Sequence, residues 1–486
     1  MDQNFFLYVD ARCTQIFRTL DSQVLRNTEK AGIQTRPAES NGLWCCALLP
    51  IILNIYSVQY AVSPLYKFVS VISIGLFIYC VLFIIFLSMS SLVIQQSVYS
   101  GCIASGFISV LLMYTILNYD LLFSLIYSLT SVLSFSWLLR TSLNQFQKTF
   151  TIGEAMLLLQ AAVLFVAATI AKTTTNLDES DKELDFIYTI IFTVLLTVGI
   201  IITALCLLKD EQRNIETLGY IIAGSGAVGL FILHCTLGFN CIYHIIQYIF
   251  LEGNRALIFL FWAVLLVIAL VVLATRTQLA VKASTVTRKS FHILASLVFM
   301  SGILLDPNLM TLAAGIGFAV LLLTEALRKS KIDPISSMLQ SAFLVYCDEK
   351  DCGSFAMTPL YLFTGLACGL ALVPRTAGPA PLERLSGVLA TGIGDSAASW
   401  FGANYGFNKW PGGHRTYEGT FFNILSQVAT VYALLLFELL DVNYALVRTT
   451  IAAVISGFVE ARTHQVDNMV LPLVTLIAFQ ATWFLS

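Results

Sequence analysis

One aspartate sits where aspartates are expensive. Residues 386–402 read Ser-Gly-Val-Leu-Ala-Thr-Gly-Ile-Gly-Asp-Ser-Ala-Ala-Ser-Trp-Phe-Gly, which places Asp395 inside an apolar run. A carboxylate in hydrocarbon must be paired, wetted or metal-bound. Gly394, Ala398 and Gly402 recur every four residues and leave one helix face bare, the pattern that lets membrane helices approach closely. Two readings of Asp395 follow: a structural acid paired to a neighbouring Arg or Lys, or a group that serves a metal or phosphate. The loop that comes next suits anions. It runs Asn408, Lys409, Trp410, Pro411, Gly412, Gly413, His414, Arg415, Thr416, Tyr417, Glu418, Gly419, Thr420. Gly412 and Gly413 permit a turn whose N–H groups converge on an anion. Lys409 and Arg415 can neutralise phosphate, and a guanidinium grips it with parallel donors. The loop opens a helix near 420, and a helix N-terminus favours negative charge. The alternative is a plain positively charged loop with a turn.

Two more clusters accompany it. Arg288, Lys289, Ser290, Phe291 and His292 enter a helix, with Arg288 and His292 one turn apart. The stretch 460–468 (Glu-Ala-Arg-Thr-His-Gln-Val-Asp-Asn) ends one helix and opens another. If it is helical, Glu460, Thr463, His464 and Asp467 share a face; Asn468 also reads as a simple N-cap. Glu325, three residues before Arg328, reads either as a further acid of the same site or as half of an intrahelical ion pair. Carboxylates at 325, 395, 460 and 467, a histidine and several cations at one depth suit Mg²⁺ and a polyphosphate. His234, Cys235, Cys241 and His244 are zinc-ligand types, set against the reading of a helix end and a short loop. GxxxxGK[ST], HRD, DFG and HExxH are absent, so the common ATP folds and zincins are unsupported.

The elements that must position these residues are membrane helices. Of 486 residues, 57% are hydrophobic and only 12% charged. Soluble domains carry about 25% charged residues. Apolar runs of about 20 residues, the length that crosses about 30 Å of hydrocarbon, recur along the chain. The fold class is an all-α, polytopic transmembrane helical bundle. A soluble enzyme, a nucleic-acid binder and a disordered scaffold are excluded, and the formal net charge of −2 says nothing about partners. We expect about 15 spans: 43–62, 68–89, 98–117, 120–139, 154–172, 186–208, 218–238, 256–275, 289–305, 309–327, 355–374, 385–403, 420–440, 445–460 and 468–485. With the N-terminus cytosolic, 20 of the 27 Lys and Arg fall on the cytosolic side, a strong positive-inside bias. The acidic loop 178–185 then falls outside, as does the C-terminus. Residues 1–42 are polar and lack the apolar core of a cleavable signal. The scattered cysteines include no CxxC and read as small hydrophobes. We expect three parts: a polar segment 1–42, an apolar scaffold or lipid-contact region 43–275, and a catalytic region 276–486.

Taken together, GxGDxxAsxxG at 392–402, the W-P-G-x-x-x-T-x-E-G-T loop at 410–420, R-K-x-x-H at 288–292 and E-A-x-T-x-Q-x-D-N at 460–468, followed by Leu471-Pro472, resemble the dolichol kinases. That group of CTP-dependent polyprenol kinases also contains phytol kinases and a fungal diacylglycerol kinase. The likeness covers roughly 284–486, and the long apolar first half looks like the eukaryotic dolichol kinases. His414 and Arg415 stand where such loops usually carry lysines. The resemblance implies phosphoryl transfer from CTP to the terminal hydroxyl of dolichol in the endoplasmic reticulum membrane, giving dolichyl phosphate for protein glycosylation. It places the CTP-binding stretch at about 410–425. On this reading Asp395 holds Mg²⁺. Lys409, Trp410, Pro411, Gly412, Gly413, His414, Arg415, Thr416, Glu418, Gly419 and Thr420 form the nucleotide loop. Asp467 is the general base, Glu460 its alternate or a second metal ligand, and Arg288, Lys289 and His292 stabilise the transferring group. A CTP:phosphatidate cytidylyltransferase shares a GD…G…K…T.EG stretch, but the 460–468 segment does not fit its signature. A transporter would show paired broken helices in two related halves, and no inverted repeat is evident.

Overall fold

The computed structural model describes residues 3–96, 98–174, 181–251, 253–278, 285–347, 351–411, 413 and 415–485. Among these the regular structure is helical, with one isolated antiparallel bridge between Lys409 and Thr416. Each of the fifteen expected segments lies on a helix. Among the described residues, ten helices are long and apolar enough to cross a membrane by length and composition. Leu43–Gln59, Met357–Leu372 and Asp467–Ala481 are apolar but shorter. The segment expected at 385–403 is broken into a one-turn helix, Pro381–Arg384, a π-helical stretch, Val388–Gly394, and an α-helix, Asp395–Tyr405.

The helix boundaries follow from local chemistry. Asp120, Asp181, Asn214 and Asp306 each accept a backbone N–H of the first turn of the helix they precede. Such caps stabilise by about 1 kcal/mol each. Pro307 and Pro64 occupy first-turn positions, where a missing N–H costs nothing.

Polar ties sort the loops onto two faces. On one, Asn27 Nδ2 donates to Leu87 O at 2.8 Å, Arg213 Nη1 to Ser330 O at 2.5 Å and Arg288 Nη1 to Cys347 O at 3.3 Å. On the other, Tyr66 Oη donates to Leu372 O at 2.8 Å, Arg255 pairs with Asp306 at 2.6 Å and Glu183 at 3.1 Å, and Asn308 Nδ2 donates to Glu183 at 2.6 Å. Each tie joins segments that the alternating span order puts on the same side. We call them the near and far faces.

One hydrophobic core gathers the helices between 43 and 174 and closes against the last helix through Val470, Leu473 and Leu476. A second joins 258–310, 366–389 and 431–479. Lys182–Leu207 packs on Pro307–Lys329 and on Ile215–Leu237, which otherwise stands largely exposed. The broken helix 388–405 lies at the centre of the second group. It packs against Thr285–Leu305, Met357–Leu372, Tyr417–Leu436, Ala445–Arg462 and Asp467–Ala481.

Candidate active site

The glycine-rich break is what lets so many helices converge. A Cβ on Gly387 would sit 2.0 Å from Gly365 O, so two backbones cross in contact there. A Cβ on Gly394 would lie 2.6 Å from Asn423 Oδ1 and 2.7 Å from Gln427 Nε2. Those two side chains are buried, and Gln427 Nε2 donates to Asn423 Oδ1 at 2.6 Å. The small-residue face of 394–402 therefore packs on Tyr417–Leu436, as its spacing predicts. Asn423 and Gln427 went unread in the sequence. Two amides one turn apart in an apolar span were the available signal.

Asp395 opens the α-helical part, directly after the π-helical stretch, a geometry that is frequent at functional sites. It is buried and forms an ion pair with Lys289 Nζ. Lys289 and His292 are three residues apart on Thr285–Leu305, which packs on the same break. His292 is buried and its Nδ1 has no hydrogen-bond partner in the protein. Arg288 donates to the Cys347 carbonyl, tying the helix start to the 335–347 segment.

Arg415 bridges two acids. Its Nη1 lies 2.8 Å from Glu460 Oε1 and its Nη2 3.3 Å from Asp467 Oδ2. The Nη1 contact is ionic and not a directed hydrogen bond. Glu460 is within electrostatic reach of Asp395, Asp467 and Lys289, and His292 within reach of Lys289 and Asp467. Three acids, two paired cations and a histidine thus form one cluster on the near face. As expected, 460–468 ends one helix and opens another: the first ends at Arg462 and the next begins at Asp467, so the condition for a shared helical face is not met. Glu460 and Asp467 meet through Arg415 and not through a shared helix face. His464 points away, to Glu39 at 3.2 Å. Asn468 is the second residue of its helix and not the cap; it is buried with Oδ1 unpartnered.

The loop before Thr420 is a small hairpin. Trp410 N donates to Arg415 O at 2.9 Å and Tyr417 N to Asn408 O at 2.9 Å. Thr416 caps the following helix by accepting Gly419 N–H at 3.1 Å. Trp410 stacks on Tyr417 at 4.0 Å, and its Nε1 donates to Thr420 Oγ1 at 3.0 Å. Glu418 accepts the Asn408 side chain at 2.8 Å, so it fastens the hairpin. Lys409 and Pro411 are exposed, and Gly413 N closes the turn on Trp410 O at 3.1 Å. Gly412 and His414 lie outside the described residues.

Two sequence-level alternatives resolve toward local structure. Glu325 pairs with Arg328 at 2.5 Å and accepts Ala356 N–H at 3.0 Å; it is bound within its own helix and the neighbouring loop. His234 Nδ1 is 3.5 Å from Cys241 Sγ at a helix end. Among the described residues no three His, Cys, Asp or Glu side chains are grouped to hold a metal.

That last fact also bears on Mg²⁺ at the cluster. Mg²⁺ on a nucleotide needs one or two carboxylates, with phosphate oxygens and water completing its shell. Asp395, with Glu460 within electrostatic reach, fits that sparse donor set.

Fold and cluster define a polytopic helical membrane protein with a group of paired acids and cations on its near face. The sequence model of the Dolichol kinase family matches residues 30–362. The chain is 31% identical to dolichol kinase of Bos taurus over 401 residues, 78% of this chain and 74% of that protein. It is 32% identical to the Homo sapiens enzyme over 355 residues, 69% and 65% of the two chains. Against the Saccharomyces cerevisiae enzyme identity is 25% over 267 residues. No solved structure matches. The chain belongs to the dolichol kinase family. The family match extends far into the apolar first half and stops before Gly392, whereas the motif resemblance began near 284.

Proposed function

We propose that this chain transfers the γ-phosphoryl group of CTP to the terminal hydroxyl of dolichol, at the cytosolic face of the endoplasmic reticulum membrane. The observation that carries the reading is the near-face cluster of Lys289–Asp395 and Glu460–Arg415–Asp467. A membrane boundary is where a bilayer-borne alcohol and a soluble triphosphate can meet, and a charged cluster on the near face suits that meeting. Residues 276–486 carry the chemistry, and 43–275 support it.

Phosphoryl transfer asks mainly for positioning and charge neutralisation. Arg415 and Lys409 bind the nucleotide phosphates, with the 408–417 hairpin presenting them above a helix N-terminus. Lys289, beside His292 and Arg288, stabilises the transferring group. Asp467 accepts the hydroxyl proton of the lipid, with Glu460 adjacent. Asp395 would hold Mg²⁺, which supplies further neutralisation of the triphosphate. Without nucleotide, the acids and cations neutralise one another. Phosphates that draw Arg415 away from Asp467 free that carboxylate to take the proton.

The test is purified full-length protein with γ-labelled CTP, Mg²⁺ and a panel of dolichol, phytol, diacylglycerol and phosphatidate. Label should appear in dolichol. Label only in phytol or diacylglycerol would replace the acceptor, and pyrophosphate release with phosphatidate would replace the reaction class.

A further inference from the structure

Residues 463–466, the link just before Asp467, belong to neither flanking helix, so their buried backbone groups need partners from elsewhere. Some of these groups are satisfied locally, as Thr463 N is by Val459 O and Gln465 N by Thr463 Oγ1, but two partners come from the far end of the sequence. Val466 N donates to Glu154 Oε1 at 2.9 Å, and Arg36 Nη2 donates to His464 O at 3.2 Å. Arg36 and Glu154 are themselves joined twice, Nη2 to Oε1 at 2.6 Å and Nε to Oε2 at 3.2 Å, and both are buried. Between them, Gln465 is held from both sides: its Oε1 accepts Thr151 Oγ1 at 2.6 Å and its Nε2 donates to Ser40 O at 2.9 Å. Glu154 also accepts Thr151 N–H at 2.9 Å. Arg36 and Glu154 thus each place one bond on the backbone that launches the Asp467 helix, and Gln465 between them is held by its side chain.

We propose that Arg36 and Glu154 are positioning residues for the reaction, fixing the Asp467 carboxylate through the 463–466 backbone. The inference rests on the assignment of Asp467 as base. A buried ion pair is poor value for stability alone, because a well-packed apolar pair of similar volume often does as well. What an apolar pair cannot do is bond His464 O and Val466 N. Reacting groups must be held within about 0.5 Å, and a displacement of about 1 Å can cost about a hundredfold in rate.

The experiment is a double-mutant cycle on the full chain. The pair variant Arg36→Met with Glu154→Leu removes both charges together, and Arg36→Lys keeps the charge but loses the fork. Each is made alone and on an Asp467→Asn background, with kcat, KM for CTP and thermal unfolding measured. The pair variant should lower kcat about tenfold to a hundredfold with KM for CTP unchanged; Arg36→Lys should do so more mildly. On the Asp467→Asn background neither should lower kcat further, since the residue they position is already disabled. Equal losses on both backgrounds, or a KM rise in place of a kcat loss, overturn the inference. If the pair variant does not fold, the Arg36→Lys cycle decides by the same criteria. Full activity of Asp467→Asn by itself overturns the base assignment, a separate failure.

Discussion

The Ala445–Arg462 helix takes part in a guanidinium–carboxylate contact at each end, about 18 Å apart along its axis. The far-face contact is Arg448 with Glu383, 2.5 Å apart and both buried. Arg448 also donates to Phe479 O at 3.2 Å and reaches Thr482 Oγ1 at 3.5 Å, and its side chain is 1% exposed. The near-face contact is Glu460 with Arg415, whose side chain is 27% exposed and divided between two acids. One contact is sealed and tied at three points; the other is open and shared. Sealing suits a staple that joins the 381–384 turn to the Asp467–Ala481 helix. Sharing suits a group that must change partners when a phosphate arrives.

The largest effect expected from this contrast is on chemistry at the near end. Asp467→Asn should lower kcat by about 10²–10⁴-fold, the usual contribution of a general base, with little change in Mg²⁺ or CTP requirement. Asp395→Asn should instead raise the Mg²⁺ requirement and be partly rescued by added metal. Titrating Mg²⁺ against both variants checks this; a reversal of the two patterns would exchange their roles. At the far end, Arg448→Met leaves Glu383 buried without its partner and should destabilise by about 3–5 kcal/mol. The fraction that stays folded should keep its kcat, as thermal unfolding and active-site-normalised rates would report. A selective kcat loss there would erase the distinction between the two ends.

Arg415→Ala should raise KM for CTP about tenfold to a hundredfold, more than KM for lipid, in line with roughly 1.5–3 kcal/mol for a charged hydrogen bond. Arg415→Lys should be milder, since only the fork is lost. Equal defects toward both substrates would make Arg415 a second staple. The gentlest probe is Asn408→Cys on the exposed hairpin. It should react with an impermeant maleimide added to intact microsomes. Labelling only after detergent would put the cluster on the wrong side for CTP.

The ten long apolar spans were legible because about 20 apolar residues between polar caps is a signal written locally. The small-residue face around Asp395 was legible for the same reason. Its partner was less so: the sequence allowed a structural acid or a ligand, and Lys289 supplies a pairing 106 residues away. The end of one helix and the start of the next around 460–468 were legible to within two residues, but the contacts with Arg36, Ser40 and Thr151 that hold 463–466 between them were not. The Arg36–Glu154 and Arg448–Glu383 pairs had no local signature at all. Their members are 118 and 65 residues apart, so only the folded chain brings them together. Of the two readings open for Glu325, the ion pair with Arg328 is the one the fold shows, with the Ala356 amide as a further partner that the sequence did not signal.

The clamp on residues 463–466 also sets a schedule for biosynthesis. Glu154 and Val466 are separated by 312 positions. At a synthesis rate of about 5–20 residues per second, the ribosome delivers the second partner about 15–60 s after the first. Through that interval the first helices are in the membrane with the groove for the last helix unfilled. Glu154 still lacks the Val466 amide, and Tyr56 still lacks Gln480, which later donates to it at 2.8 Å. The Asp467–Ala481 helix is thus a late-made element on which the earlier helices depend to satisfy groups they have already placed in the membrane.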